Sequence, residues 1–254
     1  MTAPPLAPAA TVAVDWPALA AELDGVLRRA LALDDVPPAP ALAGAAGSWK
    51  GAPATIETRA SHGERVSYCR AARVRGTGLA IGNVLCVPDP RLRTAGTPLP
   101  ILGVDLVAIG ERDAIVVADL SPTGDDPTSA DGWMAAALDA DPRAAALAPI
   151  ADLPRWARES FSRRALAVRV PLAHRPVAAE AVRRVVDAFV ALVRDARVDG
   201  SAEAACAVRH DQQRYMERHR DEDGGLALLA RIFGNEWARG YIRDVLFPDL
   251  PESP

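Results

Sequence analysis

The stretch "PILGVDLVAIG", residues 100–110, combines a buried-strand pattern with a single ionisable side chain. Its apolar residues are bounded by proline and glycine, which predicts a β-strand over about 101–109. Asp105 stands in the middle of this strand, where burial of an ionised carboxylate costs free energy. The sequence therefore marks Asp105 as a side chain that needs an explanation.

Neighbouring segments predict that this strand belongs to an antiparallel sheet. Short strand-like runs are separated by turn residues, with no helix between them. After residue 132 the pattern becomes mainly helical, apart from one further strand, "RALAVRV", at 164–170. This order predicts an α+β protein whose sheet is covered by helices. The other predicted strands are 54–58, 65–75, 79–87 and 114–120, and the later helices are 131–140, 176–196, 202–220, 224–233 and 235–246.

The N-terminal region divides into a tail, a helix and a loop. Residues 1–14 are rich in alanine and proline and predict a flexible tail, followed by a single domain over 15–250. Asp15 is a suitable N-cap, and Pro17 suits the first turn of a helix that runs to about residue 33. The segment "DDVPPAPALAGAAG", residues 34–47, predicts a loop.

Composition excludes several classes of protein. The net charge of −4 gives no reason to expect a nucleic-acid partner. Cys69, Cys86 and Cys206 lack a metal-binding or paired spacing, so free thiols in a reducing compartment and no metal are expected. No apolar run is long enough to span a membrane, and the N-terminus lacks the basic region of a targeting peptide. These features favour a cytoplasmic protein without membrane contact, and we expect a monomer.

Alternation along two predicted strands places Asn83 and Asp105 in otherwise apolar rows. If these strands pair about a turn centred near residue 94, the two side chains lie directly opposite each other. Two interpretations of Asp105 remain open. It could accept a backbone hydrogen bond or pair with an arginine, or it could line a ligand pocket where burial raises its pKa and makes it a proton donor.

Four motifs resemble the ferredoxin-dependent bilin reductases. The C-terminal segment "RYMERHRDEDGGLALLARIFGNEWARGYIRDVLFPDL", residues 214–250, is similar to the end of that family. "PILGVDLVAIG" resembles the family's sheet strand that carries an aspartate. "VVADLSPT" at 116–123 and "CVPDP" at 86–90 resemble two strand ends. The resemblance covers about residues 65–250.

The resemblance implies a three-layer α/β/α sandwich with a central antiparallel sheet flanked by helices. It implies that biliverdin IXα binds between the sheet and the C-terminal helices. Ferredoxin would supply electrons one at a time, no flavin or metal would be bound, and the protein would supply protons to bilin radicals. Asp105 matches the family's sheet aspartate, and Asp223 matches a second aspartate in a helix-connecting loop. Capping of the following helix is the alternative for Asp223.

Departures from the family pattern bear on the product and on the propionates. Asn83 stands where phycocyanobilin-forming members carry histidine, and Ala71 stands where they carry a glutamate proton donor. The chain therefore resembles the members that form phytochromobilin or phycoerythrobilin. The family's basic propionate-binding positions correspond to Gly224 and Ala151. Their role could pass to other residues, namely Arg155, Arg158 and His219.

Other classes of function stay open from the sequence. A bilin-binding or carrier protein without turnover would share the pocket, although the presence of both Asp105 and Asp223 favours an enzyme. Reduction of another linear tetrapyrrole, as in the red chlorophyll catabolite reductases, is a further alternative. A purely structural α+β module would require four chance matches.

Overall fold

The computed structural model describes residues 14–110, 112–124, 126–199, 201–222 and 224–251. The predicted tail therefore lies outside the described residues, except for Val14. The strands are β1 Asp34–Asp35, β2 Gly44–Trp49, β3 Ala52–Gly63, β4 Val66–Gly76, β5 Leu79–Pro88, β6 Leu92–Thr94, β7 Thr97–Pro98, β8 Ile101–Ile109, β9 Asp113–Ser121, β10 Leu166–Pro171 and β11 Arg197–Val198.

Helices cover most of the second half of the chain, as the sequence predicts. The last of them continues into a π-helical turn, Ile242–Leu246. The helices are α1 Trp16–Leu31, α2 Pro40–Ala43, α3 Thr128–Leu138, α4 Arg155–Ser160, α5 Arg175–Asp195, α6 Ala202–Glu222, α7 Gly225–Phe233 and α8 Asn235–Tyr241.

The main sheet is antiparallel throughout its described pairs. Its strands follow the order β1-β3-β4-β5-β8-β9-β10, and β2 pairs with the same edge of β3 as β1 does. Consecutive hairpins join β3, β4 and β5, and this local connectivity explains why the alternating sequence pattern was sufficient to predict them. A small second sheet contains β11, β6 and β7.

Helices cover both faces of the sheet and enclose a separate apolar core on each. On one face, α1, α3 and α5 pack their apolar stripes, including Trp16 and Phe189, against strand residues such as Val104. On the other face, α6, α7 and α8 pack against residues such as Leu85 and Ile101. The predicted three-layer α/β/α sandwich is confirmed.

Helix α1 begins as predicted and lies very close to the sheet. The Asp15 carboxylate accepts a hydrogen bond from the Ala18 amide at 3.1 Å, which satisfies one free N–H of the first turn. A side-chain carbon at Gly82 would lie 2.5 Å from the Trp16 carbonyl oxygen. Glycine in β5 therefore permits the close approach of α1 to the sheet.

The predicted loop at 34–47 is wrong, because this segment contains β1, α2 and most of β2. Alanine, glycine and proline gave no apolar alternation, so local sequence did not reveal the strands. The order of β2 comes instead from a tight hairpin with β3, in which Gly44–Trp49 aligns against Ala52–Glu57 across a turn at Lys50 and Gly51. At Gly47, a side-chain carbon would lie 2.1 Å from the Ile232 carbonyl oxygen, so α7 packs directly on this strand.

Candidate active site

Asn83 and Asp105 face each other across β5 and β8, in the register that the sequence predicts. The Asn83 amide donates a hydrogen bond from Nδ2 to Oδ1 of Asp105 at 3.1 Å. Both side chains are half-buried in a sheet face whose other residues are mainly apolar. The pair therefore forms a polar site on an apolar surface, beneath the C-terminal helices.

Two cavities meet at this pair. The first, of about 270 Å³, extends beneath α4 and α6, and the second, of about 360 Å³, lies between the sheet and α7 and α8. Asn83, Asp105 and Phe247 line both cavities. Most of the remaining lining is apolar, which suits a flat, largely apolar ligand that is oriented by a few polar contacts.

Aromatic side chains form the wall of the first cavity around His219. The imidazole stacks on Tyr215 with ring centroids 3.9 Å apart and meets the edge of Trp156 at 4.9 Å. Its Nδ1 lies 2.9 Å from the Tyr215 carbonyl oxygen. Burial lowers the pKa of His219 to about 4, so the side chain is neutral near pH 7. His219 lines the first cavity, and its propionate-binding role stays a prediction.

Because His219 is neutral in the folded state, its pKa predicts how stability changes with pH. The unfolded chain, with a His pKa near 6.5, takes up the proton first as pH falls. The stabilisation is complete above pH 6.5 and is lost as pH falls towards 4, by about 3 kcal/mol in total. In urea unfolding measured from pH 7 to pH 4, we expect the unfolding free energy of His219→Phe to fall less steeply with pH than that of the unmodified protein. The same substitution at exposed His62 is the control, and an equal pH slope in the two variants would contradict the assignment.

A buried aspartate fixes the segment that follows α4. Asp119 of β9 is 1 % exposed and pairs in register with Gly103 of β8. Its carboxylate accepts hydrogen bonds from the Ser162 amide at 3.0 Å, from the Ser162 hydroxyl, and from the Ser121 hydroxyl at 2.8 Å. Burial is the largest influence on its pKa and raises it, while these hydrogen bonds oppose the rise. Asp119 thereby holds α4, with Trp156, over the first cavity.

The C-terminal segment is attached to the sheet through two side chains of β4. The Tyr68 hydroxyl donates to the Val245 carbonyl at 2.6 Å, and Arg70 Nε donates to the Leu246 carbonyl at 2.8 Å. These bonds satisfy carbonyl groups at the end of the π-helical turn. The "VLF" motif, residues 245–247, consequently places Phe247 against both cavities.

Other predicted site residues lie away from the cavities or outside the described residues. Arg155 and Arg158 belong to α4 but do not line the first cavity. Arg155 forms an exposed ion pair with Glu159 at 2.6 Å, and Arg158 donates a hydrogen bond to the Leu153 carbonyl at 2.7 Å. Their propionate-binding role stays a prediction. Asp223 lies outside the described residues.

The predicted correspondence of Ala71 with a pocket residue is wrong. Ala71 packs in the core beneath α1, on the opposite face of the sheet. The residue of β4 that pairs with Asn83 is Ala72, which does line the second cavity. The position assigned from the resemblance is therefore off by one residue, and an offset of one residue reverses the face of a strand. Ala72 has no acidic side chain either, so this position still lacks a proton donor.

Sequence reasoning also missed a polar cleft beside the first cavity. The cleft has a volume of about 340 Å³ and shares Tyr215 with that cavity. Arg214 and Arg218, one turn apart on α6, lie along it. Arg218 pairs with Glu159 at 3.4 Å, and Arg214 pairs with Asp211. Spacing of four residues on a helix placed them on one face, but only the fold shows that this face meets the cavity.

Within the described residues, no group of three histidine, cysteine or acidic side chains is arranged to hold a metal ion. Among the described helices, none has the length and apolar character required to cross a bilayer.

Comparisons with known proteins agree with this geometry. The ferredoxin-dependent bilin reductase family matches residues 20–248. A phycocyanobilin:ferredoxin oxidoreductase of Prochlorococcus marinus (strain MIT 9303) is 30% identical over 203 residues, covering 77% of this chain and 70% of the relative. A phycoerythrobilin:ferredoxin oxidoreductase of P. marinus (strain NATL1A) is 29% identical over 102 residues, covering 38% of this chain and 39% of the relative.

A solved structure supports the fold. Phytochromobilin synthase from tomato, crystallised in complex with biliverdin, superposes with a TM-score of 0.75 at 17% identity, covering 91% of this chain and 82% of that one. Together with this fold and cavity, the family and relative matches identify the chain as an oxidoreductase that acts on bilins. The chain belongs to the ferredoxin-dependent bilin reductase family.

Proposed function

We propose that this protein reduces biliverdin IXα to a phytobilin, using electrons from reduced ferredoxin and no bound flavin or metal. The observation that carries the proposal is the Asn83–Asp105 pair at the junction of the two cavities. It supplies a proton-exchanging carboxyl on an apolar surface that fits an extended tetrapyrrole. The tomato relative, which was crystallised with biliverdin, supports this choice of ligand.

The chemistry requires one proton for each electron. One electron from ferredoxin converts the bound bilin to a radical, and Asp105 transfers its proton to that radical. A second electron and a second proton complete the reduction of one double bond. Asp105 is half-buried, so it can recover a proton from solvent between steps. Asp223 is the proposed second proton donor on the strength of the family resemblance.

The proposed product is of the phycoerythrobilin or phytochromobilin type. Asn83 replaces the histidine, and Ala72 occupies the pocket-facing position where phycocyanobilin formation would need an acid. The proposed bilin orientation places the propionates towards the polar cleft, where Arg214 and Arg218 supply guanidinium groups. Arg155 and Arg158, close by on α4, are the alternatives there.

Filling the cavity tests where the pigment binds. A side-chain carbon at Gly103 would lie 3.1 Å from the Tyr215 hydroxyl oxygen. Valine suits a strand, so Gly103→Val is expected to fold, but its methyl groups occupy ligand space. In absorbance titrations with biliverdin, we expect affinity to fall at least about tenfold, or roughly 1.4 kcal/mol.

The matched control for this titration is Gly132→Ala in α3, where a side-chain carbon meets nothing within 4 Å. It should bind biliverdin as the unmodified protein does. Unchanged affinity in Gly103→Val would show that biliverdin does not occupy the proposed cavity.

A further inference from the structure

Arg70 takes no direct part in the proposed reaction, yet it lies buried beside the Asn83–Asp105 pair. Arg70 is 1 % exposed, and it lines the first cavity. Arg70 pairs in register with Leu85 of β5, which places it on the same sheet face as Asn83, one position along the row. Within the part of the chain that the structure describes, no carboxylate lies within ion-pairing distance of it. Burying an uncompensated guanidinium costs several kcal/mol, so neutral dipoles must offset its charge.

Three contacts hold the guanidinium in place. Nε donates to the Leu246 carbonyl at 2.8 Å, and the group lies 5.3 Å from the centre of the Phe247 ring. Nη1 donates to Oδ1 of Asn83. Because an arginine can only donate, the Asn83 oxygen must face Arg70, and its NH₂ group must face Asp105. Arg70 therefore determines the orientation of the amide.

We propose that Arg70 is a positioning residue that fixes Asn83 as a permanent donor to Oδ1 of Asp105. The transferable proton of Asp105 is then carried by Oδ2. When that proton passes to the bilin radical, the new carboxylate is stabilised by the Asn83 N–H and by the nearby positive charge. Arg70 and Asn83 retain their own protons throughout. This inference rests on the proposed function, in which Asp105 is the proton donor.

The other interpretation of Arg70 is that it only tethers the C-terminal segment. Tyr68 provides a matched control, because it lies on the same strand and donates to the adjacent Val245 carbonyl. The side-chain hydrogen bonds of Asn83, by contrast, go to Arg70 and Asp105. Tyr68→Phe removes a tether alone, whereas Arg70→Gln removes the tether, the charge and the fixed amide orientation. Arg70→Lys retains the charge and a donor and serves as the rescue variant.

The first measurement is independent of turnover. Infrared titration of the carboxyl stretch, taken as the difference from Asp105→Asn, reports the pKa of Asp105 in the free protein. Among the residues that the structure describes, the polar and titratable groups that line the two cavities beside Asp105 are Arg70, Asn83, Tyr215, His219 and Tyr241. We expect Arg70→Gln to raise this pKa by about one pH unit or more, with Arg70→Lys close to the unmodified protein and Tyr68→Phe unchanged. An unchanged pKa in Arg70→Gln would overturn the proposal.

The second measurement is a double-mutant cycle on single-turnover rates with biliverdin and reduced ferredoxin. Arg70→Gln is expected to slow proton transfer about tenfold or more with biliverdin affinity within about threefold. In an Asn83→Ala background, the same substitution should have a clearly smaller effect, because only the loss of the positive charge then remains. An equal effect in both backgrounds, or in Tyr68→Phe, would mean that Arg70 does not act through Asn83. If the unmodified protein itself shows no turnover, the proposed function fails, and the infrared titration still decides the role of Arg70.

Discussion

Replacing Asp105 with asparagine is expected to lower the rate of biliverdin reduction at least about 100-fold, while biliverdin affinity stays within about threefold. Asparagine has nearly the same shape and still offers an oxygen to the Asn83 amide, so the packing beside the cavity is preserved. It has no proton of suitable acidity to give to a bilin radical. The bilin radical should therefore persist, and rapid-mixing absorbance or electron paramagnetic resonance would detect it.

The control for this substitution is Asp113→Asn, at the exposed start of the adjacent strand β9. Its rate should equal that of the unmodified protein. If Asp105→Asn reduces biliverdin at the normal rate, Asp105 is not the proton donor, and hydrogen bonding alone would account for its place in the sheet.

Replacing Asp119 with alanine is expected to cost about 3 kcal/mol or more of unfolding free energy. The substitution removes a carboxylate that is 1 % exposed and leaves the buried donors of Ser162 and Ser121 without their acceptor. Hydrogen bonds to charged groups and buried unsatisfied donors carry costs of this size. Because Ser162 follows α4, the wall formed by Trp156 should also lose order, and biliverdin affinity should fall.

Asp126→Ala is the matched control, because Asp126 accepts bonds from the Thr128 amide and hydroxyl and from the Ser129 hydroxyl at an exposed site. Urea unfolding should show a large loss for Asp119→Ala and little change for Asp126→Ala. Asp119→Asn, which retains one acceptor, should fall between them. Equal stability of the two alanine variants would mean that the Asp119 network does not hold α4.

The prediction of the 83–105 register shows what alternation in a sequence can fix. The apolar rows of β5 and β8 each contain one polar residue, and pairing those residues also pairs the apolar ones. The connection between them is not a simple turn, since it forms β6 and β7 of a second sheet. The register is nevertheless kept, because a shift by one residue would turn the apolar row away from the core.

Arg70 and the segment 34–49 show what the sequence could not reveal. Which residues of β4 face the cavities depends on its pairing with β5, and the resemblance had assigned the glutamate position to Ala71, whose side chain lies on the opposite face. The order of β1 and β2 comes from pairing with β3, because neither the two aspartates of β1 nor the small residues of β2 form an apolar period. Strands without an apolar period were therefore missed, while those governed by apolar alternation were found.

The proposed activity of the protein is the reduction of biliverdin by electrons from ferredoxin. The direct test is an anaerobic absorbance time course with biliverdin, ferredoxin and a ferredoxin-reducing system, followed by chromatography of the extracted pigment. We predict that biliverdin disappears only when ferredoxin is reduced, and that the product is of the phycoerythrobilin or phytochromobilin type. A stable spectrum of bound biliverdin under reduced ferredoxin would contradict the proposed activity and indicate a pigment carrier or a reductase of another linear tetrapyrrole.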